Sequence, residues 1–535
     1  MKKTRTVISV LLLLLSLNIY AQKNYYKNPV LAGFYPDPSI CRVDSNFYLV
    51  NSTFAYYPGL PVFHSTDLIN WQQLGNAIDR PEQLEYSGAG VSRGLFAPDI
   101  SYHNGTFYIV CTMIDKGGNF VITAKNPAGP WSNPTYLNEV RGIDPSLFFE
   151  GDKAYIVYNS DAPDNKPQYS GHRTVRIRAF DYNKLKTFGE ERILVNGGSD
   201  FSKKPIWIEG PHIYKHNDWY YLSCAEGGTG FNHTQVVFRT HHLDSTFIPY
   251  TNNPILTQKH LNPERKHPVT TVGHADFVTD KNGKWHAVFL GCRPYEGDYY
   301  NTGRETFLLP VTWENNWPVI LKDSNAVPYK IETPYGNKAN GNLYNGNYSF
   351  SDNFISGKLN QRFMMLRNPK ENWYSIKNGL HISLQSTTIA GTENPSFVGF
   401  RQAHINSSVT TTILFNPKNN NEKAGITIFQ NEKHFAFLAI SKKENKPILE
   451  LYVANNDTAV PVKQVPLKNT EKAIYLKISS NNKHYQFAYS TDGKNWIKIN
   501  YDVDAKILST KQAGGFVGAL YGMYATSNGQ PTTGK

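Results

Sequence analysis

Five times between Asn28 and Ile320 the chain repeats one pattern: an acidic residue, a short apolar step, a polar turn, then an aromatic-rich strand. Asp37-Pro38-Ser39-Ile40 leads to NFYLV, Asp99-Ile100-Ser101-Tyr102 to TFYIV, and Asp144-Pro145-Ser146-Leu147 to KAYIVY. Glu209-Gly210-Pro211-His212-Ile213 leads to DWYYLS, and Asp276-Phe277-Val278 to KWHAVF. Spacings of roughly 45 to 67 residues match a four-stranded propeller blade, and helical periodicity is almost absent. The pattern predicts an all-β chain that opens with a five-bladed β-propeller. The innermost strand of every blade starts beside the central axis, so five acidic residues are expected to ring one mouth of the channel.

Like charges brought together are costly unless protonation, a cation or a function compensates. Asp99 and Asp276 read as caps of their own turns, as in Asx-turns. Asp37, Asp144 and Glu209 have different surroundings. The first two stand in Asp-Pro-Ser contexts, and Glu209 sits among Ile206, Trp207, Ile208 and Ile213 before Gly210-Pro211. A carboxylate in such a place shifts its pKa upward, as a general acid working near neutral pH requires. His212 and His216 read as turn or strand surface residues.

Residues 22–325 are assigned to the propeller, 326–349 to an Asn-, Gly-, Lys- and Tyr-rich linker, and 350–535 to a β-sandwich. Its expected strands include 409–415, 435–440 and 449–453, with an Asp-Gly hairpin across 485–496. Residues 1–21 have the three parts of a secretory signal: Lys2, Lys3 and Arg5, an apolar run from Val7 to Leu17, and Ile19-Tyr20-Ala21 before Gln22. The mature chain is therefore expected in the periplasm or outside the cell. Cleavage takes the net charge from +12 to +9 by removing those three basic residues. The remaining lysines are scattered with no Arg-rich arm, which argues against nucleic acid. No later apolar stretch reaches membrane-spanning length. Cys41, Cys111, Cys224 and Cys292 lack metal-ligand spacing, and both free thiols and bridges remain open for them. The 34 Tyr, 29 Phe and 9 Trp exceed what a minimal core requires, which fits both strand packing and stacking on sugar rings.

The motifs FYPDPS, RGIDPSLF and IWIEGPHIYK, in this order, resemble the three acidic motifs of family 43 glycoside hydrolases. Leu95 to Ile100, Gly273-His274-Ala275-Asp276 and Thr302-Gly303-Arg304-Glu305-Thr306 also fit, and the region from Phe350 onward resembles the sandwich of that family's xylosidase-like branch. The resemblance implies a five-bladed propeller that hydrolyses xylan-, arabinoxylan- or arabinan-derived glycosides with inversion. It implies Asp37 as general base, Glu209 as general acid and Asp144 as the carboxylate that tunes the acid. It also implies His274 and Arg304 in the sugar pocket, Phe54 and Phe96 as its walls, and a sandwich that lends a loop to the rim. Phe96 replaces a frequent Trp and Ile143 a frequent aromatic residue, so the sugar is less defined than the reaction. No cofactor is implied, although a calcium ion near His274 is compatible with the resemblance. Retaining fructosidases lack support because their Asn-Asp-Pro-Asn and Glu-Cys motifs are absent. The alternative from another class is a non-catalytic glycan-binding propeller.

Overall fold

The computed structural model describes residues 24–322, 325–333 and 344–532. The signal expected at 1–21 lies outside them, as does the middle of the expected linker. Five antiparallel sheets surround one axis, with innermost strands Ser39–Val43, Gly94–His103, Ile143–Glu150, Glu209–His216 and Thr270–Thr279. Each inner strand touches the next and the fifth returns to the first, which closes the ring. The cores lie between neighbouring sheets. Val50, Val62, Ile109 and Phe120 pack blade one on blade two, and Val157, Ile177, Leu222 and Val236 pack blade three on blade four.

Four blades have four strands each, and the fifth has three. The segment that precedes the first blade completes the fifth: the Val30 N–H donates to the Thr306 carbonyl at 2.9 Å, and Leu31 forms a bridge to the same residue. Joining the first and last segments this way ties ring closure to the ends of the domain. The expected linker is partly strand, because Lys330–Thr333 pairs antiparallel with Asn24–Lys27.

The inner strands share an irregularity where their prolines fall. Ladder pairing slips between Ile143 and Ser146, between Glu209 and His212, and between Phe96 and Asp99. Pro145, Pro211 and Pro98 lie inside these gaps. Proline offers no N–H to the ladder, so a bulge forms and re-aims the adjacent side chain. Asp37, Phe54, Asp144 and His274 all adopt left-handed backbone, with φ of 50°, 51°, 54° and 53°. Non-glycine residues held this way each store about 1–3 kcal/mol, a strain that clusters at functional sites.

The second domain is a sandwich of two sheets around Ile426, Leu438, Leu476, Phe487 and Leu508. The strands expected near 409–415, 435–440 and 449–453 appear as Asn406–Ile413, His434–Lys443 and Lys446–Asn455. Its larger sheet runs into the propeller, since Tyr56–Tyr57 pairs with Met365 and Leu366 as the edge strand. Arg401 adds a second tie: its Nε donates to the Phe34 carbonyl at 2.6 Å, and its guanidinium stacks on Tyr35 at 4.1 Å. The sandwich therefore grips the segment just before Asp37 and the one just after Ser52, whose hydroxyl bonds Asp37. All four cysteines are free, and Cys111, Cys224 and Cys292 are buried.

Candidate active site

Three carboxylates, two imidazoles and one guanidinium converge at the mouth of the channel. Asp37 is 5% exposed; its Oδ1 accepts from Arg304 Nη1 at 2.9 Å and its Oδ2 from Ser52 Oγ at 2.6 Å. Burial works to raise its pKa, but the positive charges of Arg304 and His274, with the Ser52 bond, hold it below the usual carboxylate range. Asp37 is an anion at any pH near neutrality.

Glu209 is displaced the other way. Burial comes first and the Asp144 charge second; Asp37 adds to them, His274 opposes them, and the carboxyl is pushed up to about 7. Its Oε1 accepts from Thr229 Oγ1 at 3.3 Å. Asp144 Oδ2 accepts from the Gly210 N–H at 3.1 Å and lies 3.5 Å from His274 Nε2, which links it to the backbone directly after the acid. Burial disfavours charge on His274, but its bond to Asp144 and the charges of Asp37, Asp144 and Glu209 raise it to about 9. Gly210 is required twice: its φ is +55°, and a Cβ there would stand 2.7 Å from His274 Cε1.

The apolar wall is a stack of rings. Phe54 lies 5.4 Å from Phe96 edge-on, and the Arg304 guanidinium covers Phe54 at 5.7 Å. Ile143 is half-buried beside Asp144 at the start of the third inner strand. The structure thus places the predicted residues on the mouth-side ends of blades one to three and four to five, with opposite proton affinities on Asp37 and Glu209. Two carboxylates separated this way can act as base and acid at a single pH.

The family description "Glycosyl hydrolases family 43" matches residues 26–318, and "Beta xylosidase C-terminal Concanavalin A-like domain" matches 351–535. The chain belongs to glycoside hydrolase family 43. A xylosidase/arabinosidase of Butyrivibrio fibrisolvens is 38% identical over 517 residues, spanning 94% of this chain and 96% of that protein. A non-reducing end alpha-L-arabinofuranosidase of Bacteroides ovatus is 35% identical and spans 100% of this chain and 97% of its own. A solved family 43 structure retrieved from a capybara gut metagenome superposes with a TM-score of 0.88 at 41% identity, covering 95% and 96% of the two chains.

The site of this family 43 glycosidase also holds two residues that the sequence did not single out. Phe516, from the sandwich, stacks on Phe54 at 5.8 Å and meets Phe96 edge-on at 5.8 Å, and its carbonyl accepts from Arg304 Nη2 at 3.5 Å. The only signal for it was the resemblance, which implied a rim loop without saying which. His233 is 1% exposed and points Nε2 toward Glu209 Oε1 at 3.7 Å, while Nδ1 lies 3.4 Å from the Thr271 carbonyl. Burial, then the charges of His274 and Arg304, depress it to about 3, so it is neutral. With its proton on Nδ1, the lone pair on Nε2 faces the acid and favours a protonated Glu209.

Two of the five acidic residues are not at the mouth. Asp99 and Asp276 stand six and seven residues into their inner strands, whereas Asp144 is second and Glu209 first. Each keeps a local bond, to Ser101 and to the Phe277 N–H, but the rest cross between blades. Ser39 Oγ donates to both, the Leu147 N–H reaches Asp99 at 3.0 Å, and Tyr214 Oη reaches Asp276 at 2.6 Å. They are pins of the channel and not only caps of their own turns. His212, expected at the surface, is buried between them, with Nδ1 3.5 Å from Asp99 and 3.7 Å from Asp276. Burial opposes its charge, but the two aspartates raise its proton affinity above the ordinary imidazole value. His216 is half-buried and stacks on Trp313 at 4.0 Å.

Asp99, His212 and Asp276 also form the group of metal-competent side chains found among the described residues. Their fit to calcium is poor, because that ion takes six to eight oxygens, one of the three donors is a nitrogen, and the carboxylates already accept from backbone and hydroxyl donors.

Proposed function

We propose that this chain is an inverting exo-glycosidase that releases xylose or arabinose from xylan-, arabinoxylan- or arabinan-derived glycosides. The observation that carries the reading is the opposite displacement of two carboxylates in one mouth, Glu209 up to about 7 and Asp37 below the usual range. Glu209, protonated, gives its proton to the leaving sugar oxygen as the glycosidic bond breaks. Asp37, ionised, takes a proton from the water that attacks the anomeric carbon from the opposite face. Charge develops on the ring in an oxocarbenium-like transition state, and the anionic Asp37 stabilises it.

Asp144 serves the acid in two ways. Its charge raises Glu209, and its bond to the Gly210 N–H fixes the backbone that carries the acid. Arg304 keeps Asp37 ionised and oriented, and has further N–H donors to offer a sugar hydroxyl. Phe54, Phe96 and Phe516 give the sugar ring's C–H face an apolar surface. The names of the relatives support pentose as the released sugar, and the wall residues Phe96 and Ile143 bear on which one.

A calcium ion beside His274 belongs to the same proposal, but the donor set there fits it poorly: the buried, unpartnered atom is a ring nitrogen, Nδ1, whereas calcium takes six to eight oxygens. An ion bound there would replace the Nδ1 proton, so it and the imidazolium exclude each other. Metal analysis of the purified protein decides between them. Export to the periplasm or the cell exterior is also proposed, on the charged-then-apolar N-terminal segment, and a mature terminus at Gln22 would support it.

Turnover of nitrophenyl β-xyloside and nitrophenyl α-arabinofuranoside tests the reading. Glu209→Gln should lose activity on unactivated glycosides while sparing good leaving groups, because only the former need a proton. Equal loss on both would remove the acid role, and no turnover of either by the natural chain would favour a glycan-binding protein.

A further inference from the structure

Ahead of the buried Ile208 and Glu209 stand two large apolar residues that the reaction does not use. Ile206 and Trp207 keep 47% and 38% of their surface exposed. Trp207 also adopts left-handed backbone, with φ of 53°, which costs a bulky residue about 1–2 kcal/mol.

The segment is nevertheless firmly held. The Trp207 N–H donates to the Gly171 carbonyl at 2.9 Å, and the Gly227 N–H donates to the Ile206 carbonyl at 2.8 Å. Asn159 Nδ2 donates to the carbonyl of Ile208. Gly171 has φ of +81°, and a Cβ there would stand 2.6 Å from Ile206 Cγ2, so the loop opposite is shaped to this rim. The Arg173 guanidinium lies over the indole at 4.7 Å from its centroid. Arg173 is itself fixed by Asn159 Oδ1, at 3.0 Å from Nε, and by Asp161. One face of the indole is thus backed by a cation while more than a third of the residue faces solvent.

Position assigns that exposed surface. A general acid must stand within hydrogen-bond reach of the leaving oxygen, so whatever is attached to that oxygen lies on the Glu209 side of the mouth. Trp207 is two residues from the acid, at most about 7 Å along the chain. A leaving group seated on Glu209 therefore meets the Trp207 rim. A pyranose ring presents an apolar C–H face that matches an indole plane, whereas a small alcohol has nothing to place there.

We propose that Trp207, held from behind by Arg173, is the platform of a leaving-group subsite that stacks on the sugar ring adjoining the scissile bond. The substrates it selects are glycosides whose leaving group is itself a sugar chain, as in an oligosaccharide or polysaccharide backbone. This inference rests on Glu209 being the acid.

The test compares kcat/KM for an oligosaccharide and for the methyl glycoside of the same terminal sugar, in the natural chain, Trp207→Ala and Trp207→Phe. The alanine variant should lower the oligosaccharide value about tenfold more than the methyl glycoside value, chiefly through KM, and phenylalanine should restore most of it. An equal fall on both substrates, or no fall on the oligosaccharide, overturns the proposal. Because the two substrates are compared within one variant, a loss of folded protein cancels. If Glu209→Gln loses oligosaccharide and activated aryl glycoside equally, the acid assignment fails first, whatever the Trp207 ratio.

Discussion

Replacing Glu209 by Gln should stabilise the protein, and do so only at the higher end of the pH range. The carboxyl holds its proton up to about 7 in the folded chain, against an ordinary value of 4.5. Between these values the native state binds a proton that the unfolded chain has released. The group's contribution to stability is therefore complete below pH 4.5 and is lost as pH rises through 7. Glutamine, neutral and of the same shape, escapes that loss. At 1.36 kcal/mol per pKa unit the difference is about 3 kcal/mol at pH 8. With about 2.1 cal/mol/K of unfolding entropy per residue over 535 residues, this corresponds to roughly 3 °C in Tm. Scanning calorimetry of both proteins at pH 4 and pH 8 measures it: nearly equal Tm at pH 4 and the variant higher by about 3 °C at pH 8. A difference that does not change with pH, or a variant less stable at pH 8, would refute burial and Asp144 as the cause of the raised acid.

Three further outcomes follow from the same geometry. On glycosides that need leaving-group protonation, kcat/KM should fall about tenfold per pH unit above 7, as Glu209 loses its proton, and hold steady at mildly acidic pH because Asp37 stays ionised. His274→Gln removes a positive charge that lowers both Asp37 and Glu209, so both limbs of the pH–rate profile should move to higher pH; fixed limbs would show that the imidazolium does not reach the pair. Phe516→Ala strips one ring from the wall built with Phe54 and Phe96 and should raise KM about tenfold with little change in kcat; an unchanged KM would make that residue a domain brace alone.

Much of this was legible because local chemistry and global fold agree. The Asp-Pro and Glu-Gly-Pro steps announce a broken ladder at a strand's beginning, and this is where Asp144 and Glu209 turn into the channel. The depth of each acidic residue was not legible. The Asp-Pro-Ser context sets Asp144 apart from Asp99 and Asp276, but it carries no information on depth, which depends on how many residues the strand runs before reaching each one. His212 was misplaced for the same reason, since its neighbours in space are two aspartates from other blades. Phe516 lies 212 residues beyond Arg304, whose guanidinium donates to its carbonyl, and only the packing of sandwich on propeller joins them. His233 carries no motif of its own. The missing strand of the fifth blade became visible only when the first residues of the domain were seen to complete it.

The central claim is that Asp37 activates a water molecule while Glu209 protonates the leaving oxygen on the opposite face. NMR observation of the sugar first released, before mutarotation, tests it most directly. The account predicts inversion: α-xylose from a β-xyloside, or β-arabinofuranose from an α-arabinofuranoside. A first product with the substrate's own anomeric configuration would mean that one carboxylate attacks the sugar itself, and would contradict the account.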